Sequence, residues 1–71
     1  MKYLIIYEGT TTGYSAYAPD LPGCIAAGST FEETVELMRG AIQMHLQAMR
    51  EDGDPIPEPR TRADYIEAPA A

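Results

Sequence analysis

The sequence predicts a small α+β domain whose elements follow the order βββαβ. Near the start of the chain, residues 2–8 contain a continuous apolar run and residues 14–18 alternate in polarity, and both patterns are typical of strands. From residue 31 onward, apolar residues recur at steps of three and four, which predicts one long amphipathic helix. With 71 residues, the chain has room for a single domain. We place this domain at residues 1–67 and expect a frayed tail at residues 68–71.

The first two predicted strands form a hairpin. Residues 3–7 are rich in β-formers, and because the run is apolar throughout, we expect a central strand that is at least partly covered on both faces. Gly9 and Gly13 bracket the turn-like segment GTTTG. The alternating residues 14–18 then supply the second strand, so the first three strands are expected to form an antiparallel meander.

A stiff corner follows the second strand. Pro22 would fix its φ at about −65°, and Gly23 would supply the positive φ that the third position of a type II turn requires. Residues 24–27 predict a short third strand, which Gly28 closes. We interpret the corner as scaffold rather than as a contact surface. It comprises Pro19, Asp20, Leu21, Pro22, Gly23 and Cys24.

The helix has clear start and stop signals. Thr30 is a good N-cap, and Glu33 three residues later completes a capping box. Gly53 is expected just beyond the helix and Pro55 forbids its continuation, so the helix is predicted over residues 31–52, packed across one face of the sheet. Its apolar stripe consists of Val35, Met38, Ile42, Leu46 and Met49.

Gly40 interrupts this predicted helix. A glycine in a helix interior costs ~1 kcal/mol relative to alanine. It could mark the close approach of another backbone, for example at a dimer interface, or it could reflect drift at an exposed site. From the sequence alone we favour drift.

The segment after the helix is rich in proline. Pro55, Pro57 and Pro59 predict an extended, irregular segment over residues 54–62. Residues 63–66 predict a short fourth strand at an edge of the sheet, parallel to the first strand if the helix forms a right-handed crossover. An open edge on either side of the sheet would invite pairing with another chain.

The chain is acidic, which limits the partners that it can attract. It carries 11 Asp and Glu against 5 Lys and Arg, for a formal net charge of −6. Nucleic-acid binders neutralise phosphates with Lys and Arg, and the basic residues here are scattered, so we expect no direct nucleic-acid binding. A basic protein partner fits the charge better, although solubility alone would also explain it.

Segments that would direct the chain to a membrane or out of the cell are not evident. The apolar run near the start is shorter than a secretory signal needs and far shorter than the about 20 residues of a membrane span. The single cysteine cannot form a disulfide within the chain. We therefore expect a cytoplasmic protein.

Residues that could carry catalysis are few. His45 is the only histidine and lies near the edge of the apolar stripe, where a packed or boundary side chain is the usual role. Glu8, Asp20 and Asp64 could meet at one end of the sheet and bind Mg²⁺, but no spacing forces them together. Cys24 has no basic neighbour in sequence that would lower its pKa. We predict no enzyme, no cofactor and no metal site.

Several of these motifs occur together in one known family. The corner at residues 19–24, the capped helix start at residues 30–33 and the segment GDPIPEP at residues 53–59 resemble the HicB family of antitoxins over about residues 3–59. The resemblance implies a partial, degenerate RNase H-like fold with sheet order 3-2-1-4 and no working nuclease. The positions that match the family pattern are Pro19, Asp20, Leu21, Pro22, Gly23, Cys24, Gly28, Thr30, Gly53, Pro55 and Pro57.

The resemblance also implies a function. HicB antitoxins bind and block HicA, a small basic toxin that cleaves mRNA, so the expected role is that of a protein-binding module in a type II toxin–antitoxin system. Glu32, Glu33 and Glu36 are candidate contacts for a basic partner, although capping and solvation also account for them. The alternative is a stand-alone homo-oligomer, a dimer or larger, with a structural or ligand-binding role and no toxin partner.

Two departures from the family pattern bear on partners rather than on the fold. Ser29, Leu37 and Gly40 stand where the family would be expected to have an acid, an Asn and a Glu. Many members also carry a C-terminal DNA-binding segment, and none is expected within these 71 residues.

Overall fold

The computed structural model describes residues 1–70 and shows a three-stranded antiparallel sheet with one long helix across one face. The sheet has the order β1-β2-β3, as the predicted meander requires. The α+β class and the first four elements are thereby confirmed. The elements are β1 (Ile6–Gly9), β2 (Tyr14–Tyr17), β3 (Ile25–Gly28) and α1 (Phe31–Glu51).

The first strand is shorter than predicted, and it is an edge strand rather than a central one. β1 pairs with β2 from Ile6, opposite Tyr17, to Gly9. Beyond Tyr17 the chain enters a turn, in which the Leu21 N–H donates to the Ala18 carbonyl oxygen at 3.0 Å, so residues 2–5 have no strand partner. A strand needs such a partner for its backbone groups, which is why the predicted range of 2–8 was too long.

The corner folds as a type II turn and also contributes to the core. Gly23 has a φ of 84°, and the Cys24 N–H donates to the Leu21 carbonyl oxygen at 3.0 Å. Only a residue without a Cβ adopts this left-handed φ at no steric cost. Leu21 itself is fully buried, so the turn inserts a side chain under the helix as it redirects the chain.

The core lies between β2, the corner and the first turns of α1. Thr34 is buried with it, and its hydroxyl group donates to the Thr30 carbonyl oxygen at 2.7 Å. The rest of the apolar stripe is only half-buried, because 21 helical residues extend about 31 Å whereas a four-residue strand extends about 13 Å. The buried apolar side chains are Ala16, Ala18, Leu21, Cys24 and Met38.

Both ends of α1 form as predicted. The Thr30 Oγ1 accepts from the Glu33 N–H at 3.0 Å, which confirms Thr30 as the N-cap, while the Glu33 carboxylate accepts from the Ser29 N–H. At the other end, Gly53 has a φ of 73° and its N–H donates to the Arg50 carbonyl oxygen, and the next N–H donates to the Met49 carbonyl oxygen. This pair of bonds is a Schellman motif, which satisfies the last carbonyl groups of the helix.

The predicted fourth strand is wrong for the part of the chain that the structure describes. Residues 63–66 have no strand pairing, and Tyr65 and Ile66 are 100% and 88% exposed, so neither face of the segment is buried. The order 3-2-1-4 therefore reduces to three strands, and the RNase H-like relationship stays a prediction.

The tail beyond the helix is extended and irregular. Residues 54–70 contain neither helix nor strand, and residues 68–70 are exposed. The predicted frayed end at residues 68–71 includes Ala71, which lies outside the described residues.

Candidate protein-binding surfaces

An open groove runs along the outer edge of β1. This edge is unpaired within residues 1–70, and the tail passes beside it without forming a ladder of hydrogen bonds. The space beside it, which we call the β1 groove, is about 770 Å³. Its lining residues are Leu4, Ile5, Ile6, Tyr7, Tyr14, Phe31, Ala63, Asp64 and Tyr65.

Three aromatic rings form one wall of the β1 groove. The Phe31 ring lies 4.8 Å from that of Tyr7, tilted by 56°, and 5.7 Å from that of Tyr14, at 78°. These distances and angles fall in the range of favourable edge-to-face contacts. Phe31 is 43% exposed, so the cluster presents a rigid apolar surface at the start of α1.

The tail is fastened to the corner by Asp20. The Asp20 carboxylate accepts from the Arg60 N–H at 2.9 Å, from the Thr61 N–H at 2.9 Å and from the Thr61 hydroxyl group at 2.6 Å. The hydroxyl bond, followed by the two N–H bonds, lowers the pKa of Asp20 from its ordinary value of 3.8. A further bond runs from the Tyr3 hydroxyl group to the Pro57 carbonyl oxygen at 2.5 Å. The corner therefore anchors the tail through Asp20.

The three candidate acidic contacts differ in their surroundings. The Glu33 carboxylate accepts from the Ser29 N–H at 3.0 Å and so belongs to the helix cap. An oxygen of Glu36 lies 3.6 Å from Arg39 Nε, and both side chains are largely exposed. Glu32 makes no ion pair or side-chain hydrogen bond within residues 1–70, so its charge is the one left for a partner.

A second groove lies between the free edge of β3 and α1. It is shallow, about 430 Å³, and its lining includes three large apolar residues, Ile25, Leu37 and Met44, which are 69%, 46% and 73% exposed. A Cβ built on Gly40 would meet nothing within 4 Å. We call this the β3 groove. It is lined by Ile25, Ala26, Ala27, Glu36, Leu37, Gly40, Ala41 and Met44.

The polar residues considered for catalysis do not assemble into a site. Among residues 1–70, no three His, Cys, Asp or Glu side chains lie where they could hold a metal ion, so the hypothetical cluster of Glu8, Asp20 and Asp64 does not form. Cys24 is buried, and burial raises the pKa of its thiol, which disfavours the reactive thiolate. His45 is half-buried on α1. No helix in the described part of the chain combines the length and apolar character needed to cross a membrane.

Comparison with known proteins identifies the family. The family model that describes the HicB-like antitoxin of bacterial toxin–antitoxin systems matches residues 3–70. The chain belongs to this HicB-like antitoxin family. Its resemblance to the family in sequence motifs is thereby confirmed over nearly the whole chain rather than over residues 3–59 alone.

Individual relatives of this HicB-like chain differ in length. It is 36% identical over 69 residues to a 14.9 kDa protein from the rep-hol intergenic region of Haemophilus phage HP1, and the match covers 97% of this chain and 52% of that protein. It is 31% identical over 72 residues to Antitoxin HicB 2 of Photorhabdus laumondii, again covering 52% of the relative. The chain thus spans about half the length of these curated relatives. A Thermoplasma acidophilum protein, 31% identical over 67 residues, is covered to 94% of its length.

The fold also matches a solved structure. A chain of a HicA3 and HicB3 toxin–antitoxin complex superposes with a TM-score of 0.73 at 33% sequence identity. The match covers 84% of this chain and 70% of the other.

Proposed function

We propose that this HicB-like chain is an antitoxin module that binds and masks a small basic toxin of the HicA type, which would cleave mRNA. The observation that carries the proposal is the superposition on a chain from a HicA3 and HicB3 complex at a TM-score of 0.73. A net charge of −6 suits a basic partner. The module acts by binding, without catalysis of its own, and its place is the cytoplasm, where mRNA is translated.

The β1 groove is the proposed docking face for the toxin. Its aromatic wall of Tyr7, Tyr14 and Phe31 offers the kind of rigid, partly exposed anchor that dominates protein interfaces. The unpaired edge of β1 offers backbone groups to an extended segment of a partner.

Charge around the β1 groove also suits a basic partner. Asp64 lines it, and Glu8 and Glu32 directly follow the lining residues Tyr7 and Phe31 in sequence. Acidic residues beside the aromatic wall would steer a basic protein to this face and repel acidic proteins.

The second candidate is a stand-alone HicB-like domain without a toxin. One observation favours it, namely that the chain covers 94% of the length of the Thermoplasma acidophilum relative, so a protein of this size exists by itself elsewhere. In this case the exposed apolar surfaces would be covered by further copies of the chain.

Co-expression with the small basic protein encoded beside it separates the two candidates. Growth rescue and a complex that co-purifies at physiological salt are expected if the chain is an antitoxin. The double variant Glu8→Arg/Glu32→Arg should weaken the complex at least about tenfold, because two rim charges would then repel the toxin. Glu51→Arg is the matched control, since Glu51 is an exposed acid at the other end of α1 and, among residues 1–70, its side chain is hydrogen-bonded only to Gln47.

Two results would contradict the proposal. If the neighbouring protein is not toxic and forms no complex, the stand-alone candidate takes its place. If the complex forms but both charge variants affect it equally, the β1 groove is not the docking face, although the antitoxin role would stand.

A further inference from the structure

Two tyrosines at one end of the sheet lie on the face that α1 covers. In the pairing of β1 with β2, Gly9 lies opposite Tyr14, and Tyr7 is two residues before Gly9 on the same strand. Tyr7 and Tyr14 are therefore diagonal neighbours on one face, where side chains about 7–8 Å apart stay within reach of aromatic rings. The Phe31 ring at the start of α1 contacts both. The chain thus holds these rings in place without help from a partner.

The ring of Tyr14 is left open by its neighbours in the sheet. Its partners in the two flanking strands are both glycines, Gly9 in β1 and Gly28 in β3. A Cβ built on Gly9 would lie 4.0 Å from Tyr14 Cε1, so a side chain at position 9 would pack on this ring. Because glycine has no side chain, Tyr14 stays 36% exposed even though it belongs to the middle strand.

The β1 groove has a single charged residue in its lining. This residue is Asp64, and within residues 1–70 its carboxylate accepts only from the Tyr65 N–H and forms no ion pair. Lys, Arg and His are absent from the lining of the groove as residues 1–70 form it, and Arg62 stops one position short of the lining residue Ala63. The face of an aromatic ring carries negative partial charge, so the rings and the carboxylate attract the same kind of ligand, a cation.

We infer that the β1 groove binds an arginine side chain of the basic partner, with its guanidinium group against the aromatic wall and its N–H groups donating to Asp64. The inference rests on the proposed function, because it specifies what the toxin inserts at that docking face. The groove volume of about 770 Å³ lies within the range of about 300–1,000 Å³ that is typical of binding pockets. The groove can therefore hold a long side chain together with the backbone that flanks it.

Arginine suits this combination of groups better than lysine. A guanidinium group is planar and weakly hydrated, so it stacks on an aromatic face while its N–H groups remain free to donate to a carboxylate. The ammonium group of lysine is a compact and strongly hydrated charge without that planar geometry. Arginine is also enriched at protein interfaces, where lysine is depleted.

The Asp20 anchor keeps Asp64 at the groove. Thr61, which donates to Asp20 through both its N–H and its hydroxyl group, is three residues before Asp64. Three extended residues span at most about 11 Å, so the anchor limits how far the Asp64 carboxylate can move away from the sheet. Asp20 is therefore a positioning residue for this site, and it acts through Asp64.

A titration with small probes tests the site without the toxin. The probe is Nα-acetyl-arginine methylamide, added to the 71-residue chain at constant ionic strength and followed in ¹H–¹⁵N spectra. The amide signals of residues 7, 14 and 31 should shift, with a dissociation constant in the millimolar range. The citrulline analogue, which has nearly the same shape and no charge, should bind at least about fivefold more weakly. The lysine analogue should also bind more weakly than the arginine probe.

Tyr14→Leu and Tyr17→Leu form a matched pair on β2. The two tyrosines are 36% and 38% exposed, but only Tyr14 lines the groove. Tyr14→Leu should weaken binding of the arginine probe at least about threefold and reduce its advantage over citrulline, which a loss of packing alone would not do. Tyr17→Leu should change neither value. Tyr14→Phe keeps the ring and should bind the arginine probe like the wild type.

A second matched pair separates the carboxylate from general acidity. Asp64→Asn should weaken the arginine probe at least about threefold and leave the citrulline analogue unchanged. Asp54→Asn removes another exposed acid of the tail, one that does not line the groove, and should leave both unchanged. Asp20→Asn should give a smaller loss of the same kind as Asp64→Asn, because it only loosens the segment that carries Asp64.

Several outcomes would overturn the inference. If the arginine and citrulline probes bind equally, or if neither binds, the groove has no cation site. If the lysine analogue binds as well as the arginine probe, the assignment to arginine is wrong. If both Tyr14→Leu and Asp64→Asn keep the full preference for arginine, the cation binds elsewhere.

Failure of the inference and failure of the proposed function are distinguishable. A toxin complex that forms although the arginine probe does not bind would remove the arginine site and leave the antitoxin role intact. A probe that binds as expected, together with no toxin complex, would remove the antitoxin role and leave the cation site.

Discussion

The helix α1 and the tail that follows it are held to the sheet in different ways. α1 is fixed by buried side chains, above all Thr34 and Met38, and its two ends are capped. The tail, residues 54–70, is fastened by the Asp20 carboxylate and the Tyr3 hydroxyl group, and residues 60–70 are exposed. Burial of side chains stabilises the helix, whereas the tail is held by a few hydrogen bonds at residues 57, 60 and 61.

The buried face of α1 therefore stabilises the fold, whereas the exposed tail contributes to the surface of the domain. Regions with little buried surface open at low free-energy cost, while core elements open only with the whole domain. The tail borders the β1 groove through Ala63, Asp64 and Tyr65, and none of these three residues is buried against α1. Substitutions in the core, at the helix cap and at the tail anchor should therefore lower the free energy of unfolding by successively smaller amounts.

The largest effect is expected in the core beneath α1. Met38 is 1% exposed, so Met38→Ala should lower the free energy of unfolding by about 2–5 kcal/mol through lost burial and the cavity left behind. Urea denaturation followed by far-UV circular dichroism measures this change. For a domain whose total stability is of the order of 5–15 kcal/mol, this loss brings the chain close to unfolding.

The matched control is Met44→Ala on the same helix. Met44 is 73% exposed, so this substitution should change the free energy of unfolding by less than about 0.5 kcal/mol. Equal losses in the two variants would mean that α1 is not held by the face that contains Met38.

A smaller effect is expected at the helix cap. Thr30→Ala removes the Oγ1 that accepts from the Glu33 N–H at 3.0 Å, and should cost about 1 kcal/mol. Ser29→Ala should be close to neutral, because in the described part of the chain only the Ser29 backbone N–H, and not its hydroxyl group, takes part in the cap. If urea denaturation ranks the two variants the other way, the N-cap lies at Ser29.

Signals that act over a few residues made the helix and the corner predictable. Thr30 with Glu33, Gly23 and Gly53 each depend on neighbours within a turn, so their roles could be inferred from spacing alone. Thr34 was missed because a polar residue that directly follows two glutamates does not indicate burial. Its burial depends on the Thr30 carbonyl oxygen as a partner for its hydroxyl group.

The candidate surfaces were less predictable because they depend on distant residues. Asp20 and Thr61 are 41 positions apart, and no local pattern links them. The β-forming character of residues 63–66 predicted a strand, but a strand also needs a partner and a buried face, and the tail has neither. Glu33 had two predicted roles, one in the helix cap and one as a partner contact, and its bond from the Ser29 N–H shows that it belongs to the cap.

The smallest effect on stability, and the most specific, is expected at Asp20. Asp20→Asn should leave the urea midpoint of α1 nearly unchanged while the amide groups of Arg60 and Thr61 lose their charged acceptor. In a ¹H–¹⁵N spectrum these two amide signals should move toward unstructured positions, and the helix signals should stay. Asp64→Asn is the control, because within residues 1–70 the Asp64 carboxylate accepts only from the N–H of its neighbour Tyr65.

The pH dependence of this anchor has a definite sign. Because the hydrogen bonds from Thr61 and Arg60 favour the charged carboxylate, the pKa of Asp20 in the folded chain lies below 3.8. The anchor is fully present above the ordinary pKa of an aspartate, and it is lost as the pH falls through the lowered value. The Arg60 and Thr61 amide signals of the wild type should therefore titrate with a midpoint below 3.8, and those of Asp20→Asn should not. A midpoint at or above 3.8 would mean that Asp20 does not hold the tail in solution, and the difference between helix and tail would then rest on burial alone.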